Sequence, residues 1–129
     1  MEGPHLDSHR RAITAARAAA DKKGEDTIVL DVGDIIGITE VFVITSGTNT
    51  RQVRTICDEI EQAVKRDGGT APRSVEGLEA ASWVLLDYGD LVVHVFLAET
   101  REYYALERLW TDAPRIEWEP TARAGRSSL

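Results

Sequence analysis

A mixed β-sheet of about five strands packed with helices, an α/β class, is what this sequence predicts. Three observations carry the prediction. Two runs rich in β-formers, TEVFVIT at 39–45 and SWVLLDYGDLVVHVF at 82–96, lie on either side of a long amphipathic stretch, NTRQVRTICDEIEQAVKRDGG. A helix of that length between two strands reads as a crossover, while the DYGD turn inside the second run reads as a hairpin.

The elements follow in order. Asp7 or Ser8 can cap a first helix running to about Lys23, with Ala12, Ile13, Ala16, Ala19 and Ala20 as its small-residue stripe and Gly24 as its stop. Such a shallow face packs either closely or weakly. DTIVLDV at 26–32 reads as a strand, GDIIGI as a connection with two glycine breakers, and 39–45 as a second strand whose Val41, Val43 and Thr45 alternate with Phe42 and Ile44. After SGT, Asn49 caps the long helix with Gln52 in capping-box position, and Gly68 and Gly69 end it. Val53, Ile56, Cys57, Ile60 and Val64 recur at helical spacing, so Cys57 belongs to a buried stripe. Residues 70–81, with Pro72 and Gly77, suit an edge strand or a loop. Strands at 82–86 and 91–97 precede a last helix, REYYALERLW, capped by Thr100. In that helix Arg101, Tyr104 and Arg108 share one face, and Tyr103, Leu106 and Trp110 share the face expected against the sheet. Residues 1–113 thus form a single domain, and 114–129, with two prolines and no apolar period beyond Ile116 and Trp118, read as a flexible, largely unpaired tail.

Composition narrows the function classes. With 129 residues the chain has the size of one domain with one real core, and no apolar run approaches the roughly 20 residues of a membrane span. A single cysteine excludes an intrachain disulfide and a cysteine-based metal cluster, and it suits a reducing, cytoplasmic setting. Net charge is −7, which argues against a broad phosphate-neutralising surface and for little direct nucleic-acid contact. An acidic protein visiting a nucleoprotein particle would dock on a basic protein there.

Two places could carry chemistry. The SGT turn ahead of the long helix could cradle an anion, but it lacks a longer glycine motif and a nearby lysine, and the plain reading is a tight turn at Gly47. A nucleotide- or RNA-acting enzyme of nucleotidyltransferase-like fold, the rival reading, would need an Asp-x-Asp pair on the adjoining strand, and none is present. The hairpin is the richer place. If Leu86 pairs with Leu91, then Val84, Leu86, Leu91, Val93 and Val95 form one aliphatic face. Trp83, Leu85, Val92, His94 and Phe96 form the other, with Asp87 and Asp90 at the tip. A bulge pairing Leu86 with Asp90 would divide Trp83 from His94. Two turn carboxylates and one histidine make a poor metal site, and His94 has no nominated nucleophile, so neither cofactor nor metal is expected. Aromatic rings gathered with short acids have the composition of a binding hot spot.

The blocks FVITSGTNTRQV, EG at 76–77, WVLLDYGDLVVHVF and ETREYYALERLW together closely resemble the ribosomal silencing factor family, also called Iojap, over roughly residues 8–113. The resemblance implies a non-enzymatic translational repressor whose fold is nucleotidyltransferase-like without the catalytic carboxylates. It implies binding to the large ribosomal subunit through its fourteenth protein, a basic one, so that the small subunit cannot join when nutrients are scarce, and homodimers when free. It further implies a partner surface at Trp83, Asp87, Tyr88, Gly89, His94 and Phe96 of the hairpin and at Arg101 and Tyr104 of the last helix.

Overall fold

The computed structural model describes residues 4–119. Its elements are α1 (Pro4–Asp21), β1 (Glu25–Asp31), α2 (Gly33–Ile36), β2 (Val41–Gly47), α3 (Thr50–Arg66), β3 (Ser74–Glu76), β4 (Trp83–Asp87), β5 (Leu91–Leu97) and α4 (Ala98–Tyr104), followed by a 3-10 helix, Leu106–Trp110. The strands form one five-stranded sheet in the order β1-β2-β5-β4-β3. Only β2 and β5 run parallel; the other neighbours are antiparallel. The mixed α/β sheet predicted above is therefore the fold, with α3 on the crossover between its two parallel strands.

Position in the sheet explains the strand sequences. β2 is flanked on both edges and covered on both faces, and all seven of its residues are buried, so its run of Val, Phe and Ile has no polar side to show. β3, carrying Pro72 just ahead of it, is an edge strand of three residues. One face of the sheet is covered by α1 and α3. There Val53, Ile56, Cys57, Ile60 and Val64 of α3 meet Val84, Leu86, Leu91, Val93 and Val95 of the hairpin. The buried alanines 12, 15, 16, 18 and 19 let α1 lie close in. Of the residues expected in that stripe, Ile13 is only half-buried and Ala20 is exposed, and Ala15 and Ala18 take their places.

Helix termini follow their capping chemistry. The Gln52 amide donates to Asn49 Oδ1 at 2.8 Å, the predicted cap of α3. The Gln52 side chain does more than close a capping box: Oε1 accepts from the Thr48 amide at 2.7 Å, and Nε2 donates to the Lys22 and Lys23 carbonyls, satisfying the end of α1. α1 begins at Pro4 and not at Asp7 or Ser8, in keeping with proline's suitability for a first turn. Ser8 is thus inside the helix, buried, with its hydroxyl donating to Glu40 Oε1 at 2.7 Å.

Two expectations about the chain's end are corrected. Residues 113–118 are not unpaired: they lie antiparallel along β1 through the bridge Leu30 to Arg115. Residues 120–129 lie outside the described residues. The last helix is also shorter than its sequence suggests, because Ala105 adopts a left-handed conformation (φ +48°) and closes α4 after Tyr104. Thr100 lies within it, and Leu97 occupies the cap position without a side-chain bond.

Candidate partner-binding face

The hairpin decides how the open face is built. Val84 pairs with Val95, Leu86 with Val93 and Asp87 with Val92, and the Tyr88 amide donates to the Leu91 carbonyl. Both candidate registers are therefore corrected: Leu86 faces neither Leu91 nor Asp90. The observed pairing is displaced by two residues from the Leu86–Leu91 register, and a two-residue displacement preserves which side chains share a face. Gly89 makes it possible, since it takes the first position of the two-residue turn at φ +93°, where a bulky residue would be strained.

On the face away from α1 and α3, aromatic rings meet in sequence. Trp83 lies opposite Phe96 with ring centroids 4.8 Å apart, and it also meets the Tyr104 ring, tilted at 47°, at 5.0 Å. Its indole Nε1 donates to His94 Nδ1 at 3.2 Å. His94 packs edge-on against Phe42 at 4.7 Å, and Phe42 in turn meets Trp110 at 5.7 Å. His94 is 5% exposed and surrounded by rings without a counter-ion, so burial drives its pKa down to about 4 and the imidazole is neutral at pH 7. Because Nδ1 accepts, the proton belongs on Nε2, and neither this group nor Trp110 Nε1 has a hydrogen-bond partner among the described residues.

The eight residues expected to meet a partner divide into surface and support. Trp83 is half-buried, and Tyr104 is 53% exposed beside it. Phe96 is 0% exposed and His94 nearly so; they lie beneath the surface and hold Trp83. Arg101 does not point outward, because the α4 backbone turns it under the helix. Only 7% exposed, it donates to the carbonyls of Glu25 and Asp26 at 3.0 and 2.7 Å and to Ser46 Oγ at 3.0 Å, with Glu107 Oε2 3.3 Å from its Nε. Tyr88 turns to the α1 and α3 side, where burial pushes its phenol up to about 12. Gly89 serves through its backbone, whose carbonyl accepts from Thr39 Oγ1 at 3.0 Å.

The tip is acidic in composition but not in free charge. Asp90 accepts two 2.6 Å bonds from Arg11, and Asp87 accepts from the Gly89 amide at 2.8 Å with Arg73 Nε 3.4 Å away. Neither arginine could be assigned from local spacing; Arg11 and Asp90 are 79 residues apart. The left-handed Ala105 also exposes Tyr103, expected on the sheet, and leaves Leu109 71% exposed next to the packed Leu106 and Trp110.

Gly77, of the EG block, is another support the sequence did not explain. Its φ is +84°, and a Cβ there would come 2.2 Å from the Trp83 carbonyl oxygen, so any side chain would push Trp83 out of place. The SGT turn is closed by its own side chains, as the amides of Thr48 and Gln52 are already engaged. No group of three or more His, Cys, Asp or Glu able to hold a metal ion exists among the described residues.

The sequence matches, over residues 5–128, the family described as "Ribosomal silencing factor during starvation". The chain belongs to the ribosomal silencing factor family. The match runs beyond residue 113, into the stretch that the resemblance had left out. Among relatives, the ribosomal silencing factor of Halalkalibacterium halodurans is 43% identical over 105 residues, covering 81% of this chain and 89% of that one. The mouse protein named mitochondrial assembly of ribosomal large subunit protein 1 is 37% identical over 70% of this chain and 40% of its own length. A crystal structure from Chromobacterium violaceum superposes with a TM-score of 0.76 at 34% identity, covering 85% of this chain and 87% of that one. Ribosomal silencing factors are ribosome-associated regulators of translation and not enzymes, which removes the nucleotide-acting alternative.

Proposed function

We propose that this silencing factor binds the large ribosomal subunit through its fourteenth protein and, by occupying that site, keeps the small subunit from joining, so that translation falls under nutrient limitation. The observation that carries the reading is the partly open hairpin side of the second sheet face. Beyond the helix-covered face lies a second face on which Trp83, Leu85 and Val92 are only half-buried, bordered by the exposed Tyr104 and Leu109. Exposed aromatic and aliphatic groups on a rigid strand support are the composition of a protein-docking hot spot. The net charge of −7 suits a basic protein partner. Exclusion of the small subunit asks for occupancy alone, so affinity sets the strength of silencing.

Phe96, His94 and Arg101 enter this reading as supports beneath Trp83 and Tyr104. Contact falls to Trp83, Leu85, Asp87, Tyr104 and Leu109. The test is co-sedimentation with purified large subunits and pull-down of their isolated fourteenth protein, using Tyr104→Ala and Leu109→Asp. Truncating a central anchor costs about 2 kcal/mol, roughly a thirtyfold loss of binding. Variants that remain on the subunit with unchanged affinity would place the contact elsewhere.

A further inference from the structure

Between β1 and β2 the chain makes a corner that hydrogen bonds hold closed, yet it shows apolar side chains to solvent. The Val32 amide donates to the Glu40 carbonyl at 2.9 Å and shuts the base of the corner. The Gly37 amide donates back to the Gly33 carbonyl at 3.1 Å, and Gly37 takes the left-handed conformation (φ +83°) that ends α2. The corner is fixed to the hairpin tip as well. Thr39 Oγ1 donates to the Gly89 carbonyl at 3.0 Å, and the amides of Glu40 and Val41 donate to the Asp90 carbonyl at 2.9 and 3.1 Å. On this frame Ile38 is 86% exposed and Ile35 48%, and neither belongs to the core. Beside Ile38 runs a groove of about 660 Å³ that reaches Gly89 and Asp90. Its charged walls are Asp31, Asp34, Glu40 and Asp90 against Arg73, so its field is negative. Asp31 is engaged by the Gly33 amide, Glu40 by the Ser8 hydroxyl and Asp90 by Arg11. Asp34 is exposed, with no hydrogen bond or ion pair among the described residues.

We infer that this corner is a second anchor for the basic protein that docks on the aromatic face, receiving a lysine- or arginine-bearing segment with its stem over Ile38 and its charge on Asp34. Exposed aliphatic surface next to an unpaired carboxylate is the complement of such a side chain, whose methylene stem covers apolar surface while its charged head stays at the polar rim. A phosphate backbone is repelled from the same groove. The anchor presupposes the docking proposed above and continues it, from the rings of Trp83 and Tyr104 along the hairpin to its tip. Val92 and Asp87, paired across β4 and β5 beside that tip, connect the two places. Because both are mounted on one hydrogen-bonded frame, a partner that engages the rings finds the corner already in position. The corner therefore selects among basic proteins: the rings supply apolar area, and the groove asks for a cation at a fixed distance from it.

Titration calorimetry of the full chain with the isolated fourteenth protein of the large subunit tests this, with Tyr104→Ala marking the aromatic face. Ile38→Ser is expected to weaken binding about tenfold. Asp34→Lys is expected to weaken it by about as much and to flatten the dependence of affinity on salt. Both residues are exposed, so the unfolding midpoints of these variants are expected to match that of the unchanged chain. Ile38→Ser and Asp34→Lys at unchanged affinity, with Tyr104→Ala weakened, overturn the second anchor and leave the docking on the aromatic face intact. Ile38→Ser weakened but Asp34→Lys unchanged in affinity and salt dependence overturns the lysine or arginine occupant. An unchanged chain that does not bind the isolated protein overturns the docking itself, and the second anchor with it.

Discussion

The two faces of the sheet are made by the same strands and obey different rules. On the α1 and α3 side, Val, Leu, Ile and Ala predominate and the apolar surface is buried within the chain. On the other side, Phe42, Trp83, His94, Phe96 and Trp110 meet ring to ring, and burial is partial. The first face holds the fold together; the second is stiffened by it. β5 shows the division within one strand, with Leu91, Val93 and Val95 turned to the helices and Val92, His94 and Phe96 turned away. A rigid backing of this kind leaves few degrees of freedom to be lost when a partner arrives.

The helix side should give the largest effect on stability. Ile60→Ala removes a fully buried side chain from the α3 stripe and is expected to lower unfolding stability by about 3 kcal/mol, measured by urea denaturation. A smaller and pH-dependent effect separates the aromatic side. His94 is held neutral in the fold with its pKa pushed down to about 4, whereas the unfolded chain's histidine titrates near 6.5. The unfolded state therefore binds the extra proton first: stability is complete above pH 6.5 and falls as pH drops from 6.5 toward 4. By pH 5 the loss attributable to this group is about 2 kcal/mol. His94→Phe should flatten that part of the stability–pH profile, and an unchanged profile would show that the imidazole is not buried neutral. The smallest effect belongs to the rim. Leu109→Ala should change stability by less than about 0.5 kcal/mol while weakening large-subunit binding, and a large loss of stability instead would make Leu109 part of the core.

How much of this was legible in the sequence depended on the range of the interactions. α3 was readable almost residue by residue, because its five buried positions and its Asn49 cap are local periodic signals. The faces of the hairpin were readable although its pairing was not, since strand alternation has a period of two and survives the two-residue displacement. Local pattern failed where one backbone torsion or one distant partner decides. Left-handed Ala105 interrupts what reads as a continuous helix, so Tyr103 does not share a face with Leu106 and Trp110, while Arg101 is drawn inward by Glu25, Asp26 and Ser46, far from it in sequence. The aspartates at the turn looked free because Arg11 comes from the first helix and Arg73 from the segment before β3. The segment 113–118 has too few residues for a period and is recognised only by what it bonds to.

Gln52 is a single side chain shared by two helix ends. It accepts from Thr48 at the entrance of α3 and donates to the last carbonyls beyond α1. Terminal turns ordinarily open separately and with little free energy. Here loosening one end removes a hydrogen-bond partner from the other, so the opening of the end of α1 is coupled to the opening of the start of α3.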